Sequence, residues 1–374
     1  MRSVRYLYLH VPFCAHRCGY CDFVTAVRRV GQHGAYVDAL LTELELEREA
    51  LAPRVETIFL GGGTPTFTEP SAFERMLAAL PDADEVTVEA NPETVTPALA
   101  RLLSRNRVNR VSLGAQSFQP SLLRTLERHA QPEDVRRAVY VLRDAGFANI
   151  SLDLIYGIPG QSATDLDSDL AEALALEPEH VSCYELEARP GTRFTHAHGA
   201  ELERQAESME SYFEQVVATL TGAGYRWYET ANFCREPSRT GGRDLRARHN
   251  LAYWLGRDYL GLGIGAVSTI DGIRRRNAPR LGPYIAALAA ERAPPRELEP
   301  LDRDTQHRER VMLGLRLDEP LPLAGLQDAL DDQAIARLER FGLAARAGAD
   351  GEETLTLTER GRFLGGGVTA EVLA

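Results

Sequence analysis

Three cysteines near the start of the chain have the spacing of metal ligands. Cys14, Cys18 and Cys21 form a C-x3-C-x2-C cluster after a short β-rich run. Thiolates at this spacing can hold one face of an iron–sulfur cube. Three of them leave one iron open to a reacting molecule, as catalytic metal sites require. Three free thiols, or a zinc site with His10 or His16 as fourth ligand, are the alternatives. The spacing favours iron–sulfur over zinc.

A glycine run follows the second predicted strand. Residues 61–63 are all glycine, and Thr64 and Pro65 come next. Glycines let backbone N–H groups approach a ligand closely, and a threonine adds a hydroxyl group. The alternative is a flexible turn without a ligand. The place of the run, at the carboxyl end of a strand, favours ligand binding because α/β folds bind their ligands on that face.

The first half of the chain alternates short β-rich runs with helical patterns, which predicts a parallel sheet built from crossover units. Six such units are too few to close an eight-stranded barrel. We therefore predict an α/β fold with an open, partial (β/α)6 barrel, and a doubly wound sheet is the alternative. The predicted strands are 5–10, 57–60, 85–90, 107–113, 149–155 and 180–185, and the predicted helices are 34–51, 71–80, 97–105, 132–145 and 165–176.

The second half of the chain is predicted to extend this barrel and to end in a small module. We predict a helical stretch at 191–224, strands at 225–233 and 259–270, and a proline-rich linker at 293–300. Helices at 305–315, 324–330 and 332–340 and a hairpin around a turn at 348–351 resemble a winged helix. A lid over the barrel mouth is one role for that module. The predicted domains are 1–195, 196–292 and 300–374.

Composition excludes several classes of protein. The 374 residues carry a net charge of −12 and no lysine, which argues against general nucleic-acid binding. No apolar run approaches the ~20 residues of a membrane helix. The first ten residues have no apolar signal segment, and five cysteines, an odd number, argue against a disulfide framework. We therefore expect a cytoplasmic protein.

The ordered series of motifs resembles the radical S-adenosylmethionine (SAM) superfamily, and within it the oxygen-independent coproporphyrinogen oxidase-like branch. The resemblance implies a [4Fe–4S] cluster on Cys14, Cys18 and Cys21, with SAM on its open iron. It rests on the cysteine cluster, GGGTP at 61–65, EANPE at 89–93, RVSLGAQSF at 110–118 and DLIYGIPG at 153–160. The residues that match the family's SAM contacts are Tyr8, Gly62, Gly63, Thr64, Glu89, Gln116, Arg128 and Asp153. Taken singly, each has a structural alternative, such as a surface ion pair for Arg128.

One further motif resembles the haem-chaperone group of that branch. Residues 249–254 read HNLAYW and match an HNxxYW pattern. An imidazole can ligate haem iron, so His249 is the predicted haem contact, and Tyr253 and Trp254 offer flat faces to a porphyrin. A buried structural histidine in an aromatic cluster is the equal alternative. Nearby arginines either pair with haem propionates or form a solvated loop, namely Arg243, Arg246 and Arg248.

Three functional hypotheses follow. The first is a haem chaperone that delivers haem to acceptors such as respiratory haemoproteins, with a homodimer as one assembly. The second is an oxygen-independent coproporphyrinogen III oxidase. Phe23 argues against it, because that enzyme, which this chain resembles, carries a further cysteine at this position. The third is a zinc-binding regulator with a winged-helix tail.

Overall fold

The architecture centres on one large sheet. The computed structural model describes residues 3–189, 192–349 and 352–374, so the start of the predicted 191–224 helix and part of the predicted 348–351 turn lie outside the described residues. The strands are β1 Tyr6–Val11, β2 Phe13–Cys14, β3 Ala26–Val27, β4 Val55–Gly62, β5 Ala83–Ala90, β6 Arg110–Gln116, β7 Ile150–Tyr156, β8 His180–Glu185, β9 Tyr225–Glu229, β10 Asn232–Arg235, β11 Leu260–Leu262, β12 Val267–Ile270, β13 Ile273–Asn277, β14 Arg296–Pro300, β15 Leu321–Pro322, β16 Ala344–Ala347 and β17 Thr354–Leu357.

The strand order confirms the partial barrel. The large sheet runs β11-β1-β4-β5-β6-β7-β8-β10-β9, and the pairs from β1 to β8 are all parallel. Chain order and spatial order coincide across these six strands, whereas a doubly wound sheet reverses direction at a switch point. The alternative is therefore excluded. β11 extends one edge in parallel, and the β9–β10 hairpin extends the other edge antiparallel to β8.

The helices start where the sequence carries start signals. Pro97 and Pro132 occupy the first turns of their helices, and the Thr96 side chain accepts a hydrogen bond from the Leu99 amide. A capping box joins Ser162 and Asp165. The helices are α1 His33–Leu46, α2 Pro70–Ala78, α3 Pro97–Arg105, α4 Pro120–Thr125, α5 Pro132–Asp144, α6 Ala163–Ala175, α7 Arg193–Gln205, α8 Met209–Gly222, α9 Arg248–Trp254, α10 Leu281–Ala289, α11 Arg303–Gly314, α12 Asp332–Arg340, α13 Glu359–Phe363 and α14 Gly365–Val372.

Alternation along the strands separates an apolar outer face from a polar interior. On β5, Val86 and Val88 belong to the main hydrophobic core, while Glu85, Thr87 and Glu89 point the other way. The same alternation on the neighbouring strands fills the barrel interior with polar side chains, among which Ser112 contacts Asp153 and Ser151 contacts His180. They include Thr57, Arg110, Ser112, Ser151, Asp153 and His180.

Four predicted elements of the second half differ from the structure. The strand predicted at 225–233 is a hairpin of β9 and β10, and the one at 259–270 breaks into β11 and β12. The predicted linker at 293–300 contains β14, an edge strand whose Arg296 pairs with Glu47, the residue after α1, at 2.7 Å. An edge strand tolerates proline. The predicted helix at 324–330 is one 3-10 turn at Gln327–Ala329, because Gly325 has φ +82°.

The C-terminal part packs around a core of its own. β15, β17 and β16 form a small sheet against α12, and Leu355 and Ile335 are fully buried there. Arg226 of β9 binds Asp318 through two nitrogens, at 2.7 and 2.9 Å. Across residues 3–189, 192–349 and 352–374, no helix is long and apolar enough to cross a membrane. The division at 1–195, 196–292 and 300–374 stays a prediction.

Candidate functional site

A cavity of about 540 Å³ opens where the parallel strands end at their carboxyl termini. Its wall brings together every predicted site residue except Tyr8 and His249. The predicted residues that line it are Cys14, Cys18, Cys21, Gly62, Gly63, Thr64, Glu89, Gln116, Arg128 and Asp153. Separate strands and loops supply these side chains, as expected for the ligand-binding face of such a fold.

The cysteine loop is held at both ends and in the middle. Cys14 closes β2, which pairs in parallel with β3 beyond the loop. The Arg17 guanidinium donates to the Cys21 carbonyl oxygen at 2.9 and 3.1 Å. His16 Nε2 lies 3.0 Å from the Glu127 carbonyl oxygen and ties the loop to the segment after α4. The loop is therefore fixed to the barrel by its own side chains.

The cysteine thiols are arranged around the cavity and not about a single point. Among the residues that the structure describes, no three His, Cys, Asp or Glu side chains converge as ligands of one metal ion. In an iron–sulfur cube each cysteine binds a different iron, so three separate thiols on one cavity wall fit that group. Burial raises the pKa of Cys14 to about 11 and also raises that of Cys21. A bound cluster would have to displace these protons.

Two of the sulfurs have polar neighbours. Cys14 Sγ lies 3.7 Å from the Thr64 hydroxyl oxygen. Arg128 Nη1 donates to Cys18 Sγ at 3.6 Å, and Arg128 Nη2 donates to the Gly114 carbonyl oxygen at 2.8 Å. Arg128 Nε is buried with no hydrogen-bond partner in the described structure. Arg128 lines the cavity, and a guanidinium with an unpaired nitrogen fits the carboxylate of a ligand such as SAM.

The glycine run lets β4 reach the cavity. Gly62 has φ +109°, and a Cβ there would overlap the ring of His10. A Cβ on Gly63 would lie 2.6 Å from the backbone carbon of Pro12. Glycine is therefore required at both positions. The Gly62 N–H donates to Glu89 Oε2 at 3.1 Å, which joins the ends of β4 and β5.

Two buried carboxyl groups line the cavity. Burial and the nearby Asp153 raise the pKa of Glu89 to about 7. Burial also raises the pKa of Asp153, although the Arg110 charge and hydrogen bonds such as the one from Ser112, at 3.1 Å, oppose the shift. Such a pair suits an ammonium or a ribose hydroxyl, since both donate hydrogen bonds to carboxylates.

Gln116 reaches the cavity through a distorted strand. Its φ is +66°, and the register between β6 and β7 shifts between Gly114 and Gln116. A bulge of this kind turns a side chain away from the regular alternation, and such distortions concentrate at functional sites. A Cβ on Gly114 would lie 2.8 Å from Gln116 Nε2, so the glycine makes room for that amide.

The comparisons with known proteins agree with this geometry. Residues 8–173 match the model of the Radical SAM superfamily. The chain is 38% identical to the haem chaperone HemW of Mycobacterium tuberculosis, over 98% of this chain and 94% of that protein. It is 37% identical to HemW of Escherichia coli, over 70% and 68% of the two chains. The chain belongs to the HemW family of radical SAM proteins.

A solved structure supports the fold of this HemW-family chain. The coproporphyrinogen III oxidase HemN of Escherichia coli superposes with a TM-score of 0.80 and covers 99% of this chain, which covers 90% of HemN. The two sequences are 24% identical. At that identity the similarity concerns the fold alone.

The two other predicted residues of the HemW-family chain lie in the barrel interior. Tyr8 places its hydroxyl 3.1 Å from His10 Nδ1. His249 is buried on α9, with Nδ1 2.7 Å from the Thr57 hydroxyl and Nε2 2.7 Å from the Tyr253 hydroxyl. Burial lowers the pKa of His249 to about 3, so its ring is neutral at pH 7. Both ring nitrogens are engaged, which favours the structural alternative, and the haem contact stays a prediction.

The arginines that precede the HNxxYW motif of this HemW-family chain occupy different surroundings. Arg246 is paired with Asp244 at 2.7 Å and also contacts Glu319. Arg248 lies 3.8 Å from Asp84, and Arg243 is exposed. Their pairing with haem propionates stays a prediction.

The C-terminal module lies away from the cavity. No cavity-lining residue in the described structure comes from beyond Arg189. The module instead contacts β9 and α9, for example through Arg310, which donates to the Trp254 carbonyl oxygen at 3.4 Å. The expected lid over the barrel mouth is therefore wrong for this structure.

Sequence reasoning missed Asn91 as a site residue. It lies on the cavity wall, where Nδ2 donates to the Thr64 hydroxyl at 3.2 Å and Oδ1 accepts from Arg128 Nη2 at 2.9 Å. The EANPE motif at 89–93 contains it, and that motif is the signal that could have found it.

Proposed function

We propose that this protein is a haem chaperone that holds a [4Fe–4S] cluster and SAM and transfers haem to acceptor haemoproteins. The observation that carries the proposal is the cavity where three thiols, a glycine run and two carboxyl groups meet. It occurs in a chain related over 98% of its length to a protein named as a haem chaperone. Respiratory haemoproteins are the expected acceptors, and the cytoplasm is the expected compartment.

The residues of the cavity have separate roles in this proposal. Cys14, Cys18 and Cys21 would hold the cluster, which when bound supplies the electron for cleavage of SAM. The Arg128 guanidinium would pair with the SAM carboxylate. Glu89 would accept a hydrogen bond from the ligand. The remaining predicted SAM contacts are Tyr8, Gly62, Gly63, Thr64, Gln116 and Asp153.

A coproporphyrinogen III oxidase is the second candidate, because the whole set of predicted SAM contacts is present. Phe23 opposes it. This side chain is 66% exposed and lines the mouth of the cavity. The oxidase, which this chain resembles, carries a cysteine at the same position. Phenylalanine can neither ligate iron nor transfer a proton, so Phe23 could not replace a cysteine in either role.

The test begins with anaerobic reconstitution and analysis of iron and sulfide. We expect about four of each per chain for a cube. Cys14→Ala should lose much of this iron and sulfide. Cys183→Ala is the control and should lose none, because Cys183 is a buried cysteine of β8 outside the cavity. Zinc without sulfide would contradict the cluster and favour the zinc regulator.

The haem function is tested on the reconstituted protein. Haem-loaded protein is mixed with an apo-haemoprotein, and transfer is followed by the absorption spectrum of the acceptor. In parallel, coproporphyrinogen III is supplied with SAM and a reductant. We expect transfer and no decarboxylated product. Formation of protoporphyrinogen would instead establish the oxidase.

A further inference from the structure

Asn91 is the one side chain that joins the neighbours of two cluster cysteines in the described structure. Its amide contacts the Thr64 hydroxyl on one side and the Arg128 guanidinium on the other, at 3.2 and 2.9 Å. Thr64 then reaches Cys14, and Arg128 reaches Cys18. A continuous chain of polar contacts therefore runs from one sulfur to the other through the Asn91 amide.

The chemistry of the partners fixes the orientation of that amide. A guanidinium only donates hydrogen bonds, so the carbonyl oxygen of Asn91 must face Arg128 and its NH2 group must face Thr64. The Thr64 oxygen accepts from Asn91 Nδ2. Its own proton is therefore available to Cys14 Sγ, and a thiolate at that sulfur can only accept.

The backbone holds Asn91 in place for this task. Its carbonyl oxygen accepts from the Thr94 amide at 3.0 Å and from the Thr94 hydroxyl at 2.6 Å, which closes the turn at Pro92–Thr94. Thr94 in turn contacts the Thr66 hydroxyl at 2.7 Å. A side chain on so constrained a backbone loses little entropy when it holds two partners.

We propose that Asn91 is a positioning residue that aims the Thr64 hydroxyl and the Arg128 guanidinium at the sulfurs of Cys14 and Cys18. It thereby raises the reduction potential of the cluster that these thiolates hold. Hydrogen bonds to cluster sulfurs stabilise the more negative, reduced state, and they are one of the protein's means of tuning an iron–sulfur potential. The inference rests on the cluster assignment of the proposed function.

The first test replaces Asn91 by leucine, which has a similar shape and no polar group. We expect Asn91→Leu to keep the iron and sulfide content of the wild type and to shift the potential of the reconstituted cluster to a more negative value. The electron paramagnetic resonance spectrum of the reduced cluster should change as well. Asn91→Ser, too short to reach both partners, should shift the potential in the same direction, and it replaces the leucine variant if that one does not hold a cluster.

A double-mutant cycle separates positioning from a general disturbance. Thr64→Val removes the hydroxyl group and keeps the branched shape. If Asn91 acts partly through Thr64, the shift caused by Asn91→Leu must be smaller in the Thr64→Val background than in the wild type. The control is Asn109→Leu, which removes an amide that also makes two hydrogen bonds, to Val86 N and Asp84 O, remote from the sulfurs. It should leave the potential unchanged.

Two failures are distinguishable. A wild-type chain that takes up no iron and sulfide would overturn the cluster assignment and this inference together. An intact cluster with the same potential in Asn91→Leu and Asn91→Ser would overturn only the role of Asn91. Fully additive shifts in the cycle would also overturn the proposed route through Thr64.

Discussion

Glu89 Oε2 accepts a hydrogen bond from the backbone nitrogen of Gly62 at 3.1 Å, and this contact ties two neighbouring strand ends at the cavity. It depends on a backbone that only glycine adopts easily, because Gly62 has φ +109° and stands against the His10 ring. The carboxyl group that receives the bond is buried and has a raised pKa. Backbone geometry and the charge state of the site are therefore connected.

Gly62→Ala should destabilise the protein and disrupt the cavity. The new Cβ would overlap His10 in a backbone conformation that costs alanine about 1 kcal/mol or more. We expect a loss of about 2 kcal/mol or more in the free energy of unfolding, measured by urea denaturation, and weaker SAM binding. Gly199→Ala is the control: it lies within α7 with open space around it, and it should stabilise by up to about 1 kcal/mol. Equal effects of the two substitutions would contradict the argument.

The stability of the chain should depend on pH through Glu89. Its pKa is about 7 in the folded protein and 4.5 when unperturbed, so the folded state binds the proton more tightly. The contribution of protonated Glu89 to the free energy of unfolding is therefore complete below pH 4.5 and is lost as the pH rises through 7. Glu89→Gln imitates the protonated group, so it should be more stable than the wild type at pH 8, by about 3 kcal/mol at most. The difference should vanish near pH 4.5, and a difference independent of pH would refute this.

SAM binding should show the opposite dependence on pH. The proposed acceptor role of Glu89 needs the ionised carboxylate, so affinity should fall as the pH drops from 8 to 6. Isothermal titration calorimetry of the reconstituted protein measures it. Glu89→Gln should bind weakly and lose most of that pH dependence. Unchanged affinity in this variant would remove Glu89 from the set of ligand contacts.

The barrel and most of its site could be predicted because local signals determine them. The cysteine spacing and the glycine run lie within single loops, and the six strands show clear β-rich runs. The EANPE motif marks Asn91, but its two contacts could not be predicted, since Thr64 follows β4 and Arg128 follows α4 and only the fold brings them together. β14 was missed because the three prolines of 293–300 indicate a linker, whereas its pairing with β13 depends on residues that are nearby only in the fold.

Arg316 should anchor the C-terminal module to the barrel. It donates through Nε to the fully buried Glu229 at 2.7 Å and lies over the Trp254 ring, 4.5 Å from the ring centroid. Loss of the partner of a buried carboxylate is costly, and partial exposure of Arg316 reduces the effect. We expect Arg316→Met to lower the free energy of unfolding by about 2 kcal/mol.

A surface ion pair provides the comparison for Arg316. Arg337→Met breaks the contact with Glu371 at 3.0 Å, in which both side chains are about half exposed. It should cost no more than about 0.5 kcal/mol. Both variants are measured by urea denaturation under the same conditions. Similar losses would show that the buried pair does not hold the module.

His249 and His180 offer a matched test of the haem contact. Both are buried in the barrel, and each uses both ring nitrogens: His180 contacts the Ser151 hydroxyl at 2.9 Å and the Tyr228 hydroxyl at 2.7 Å. If His249 ligates haem, it must first release Thr57 and Tyr253. His249→Ala should then weaken haem binding and change the haem absorption spectrum, while His180→Ala changes stability alone. Tyr253→Phe, which frees Nε2, should strengthen binding if release limits it. If both histidine variants lose haem affinity only in proportion to their loss of stability, His249 is a structural residue and not a haem ligand.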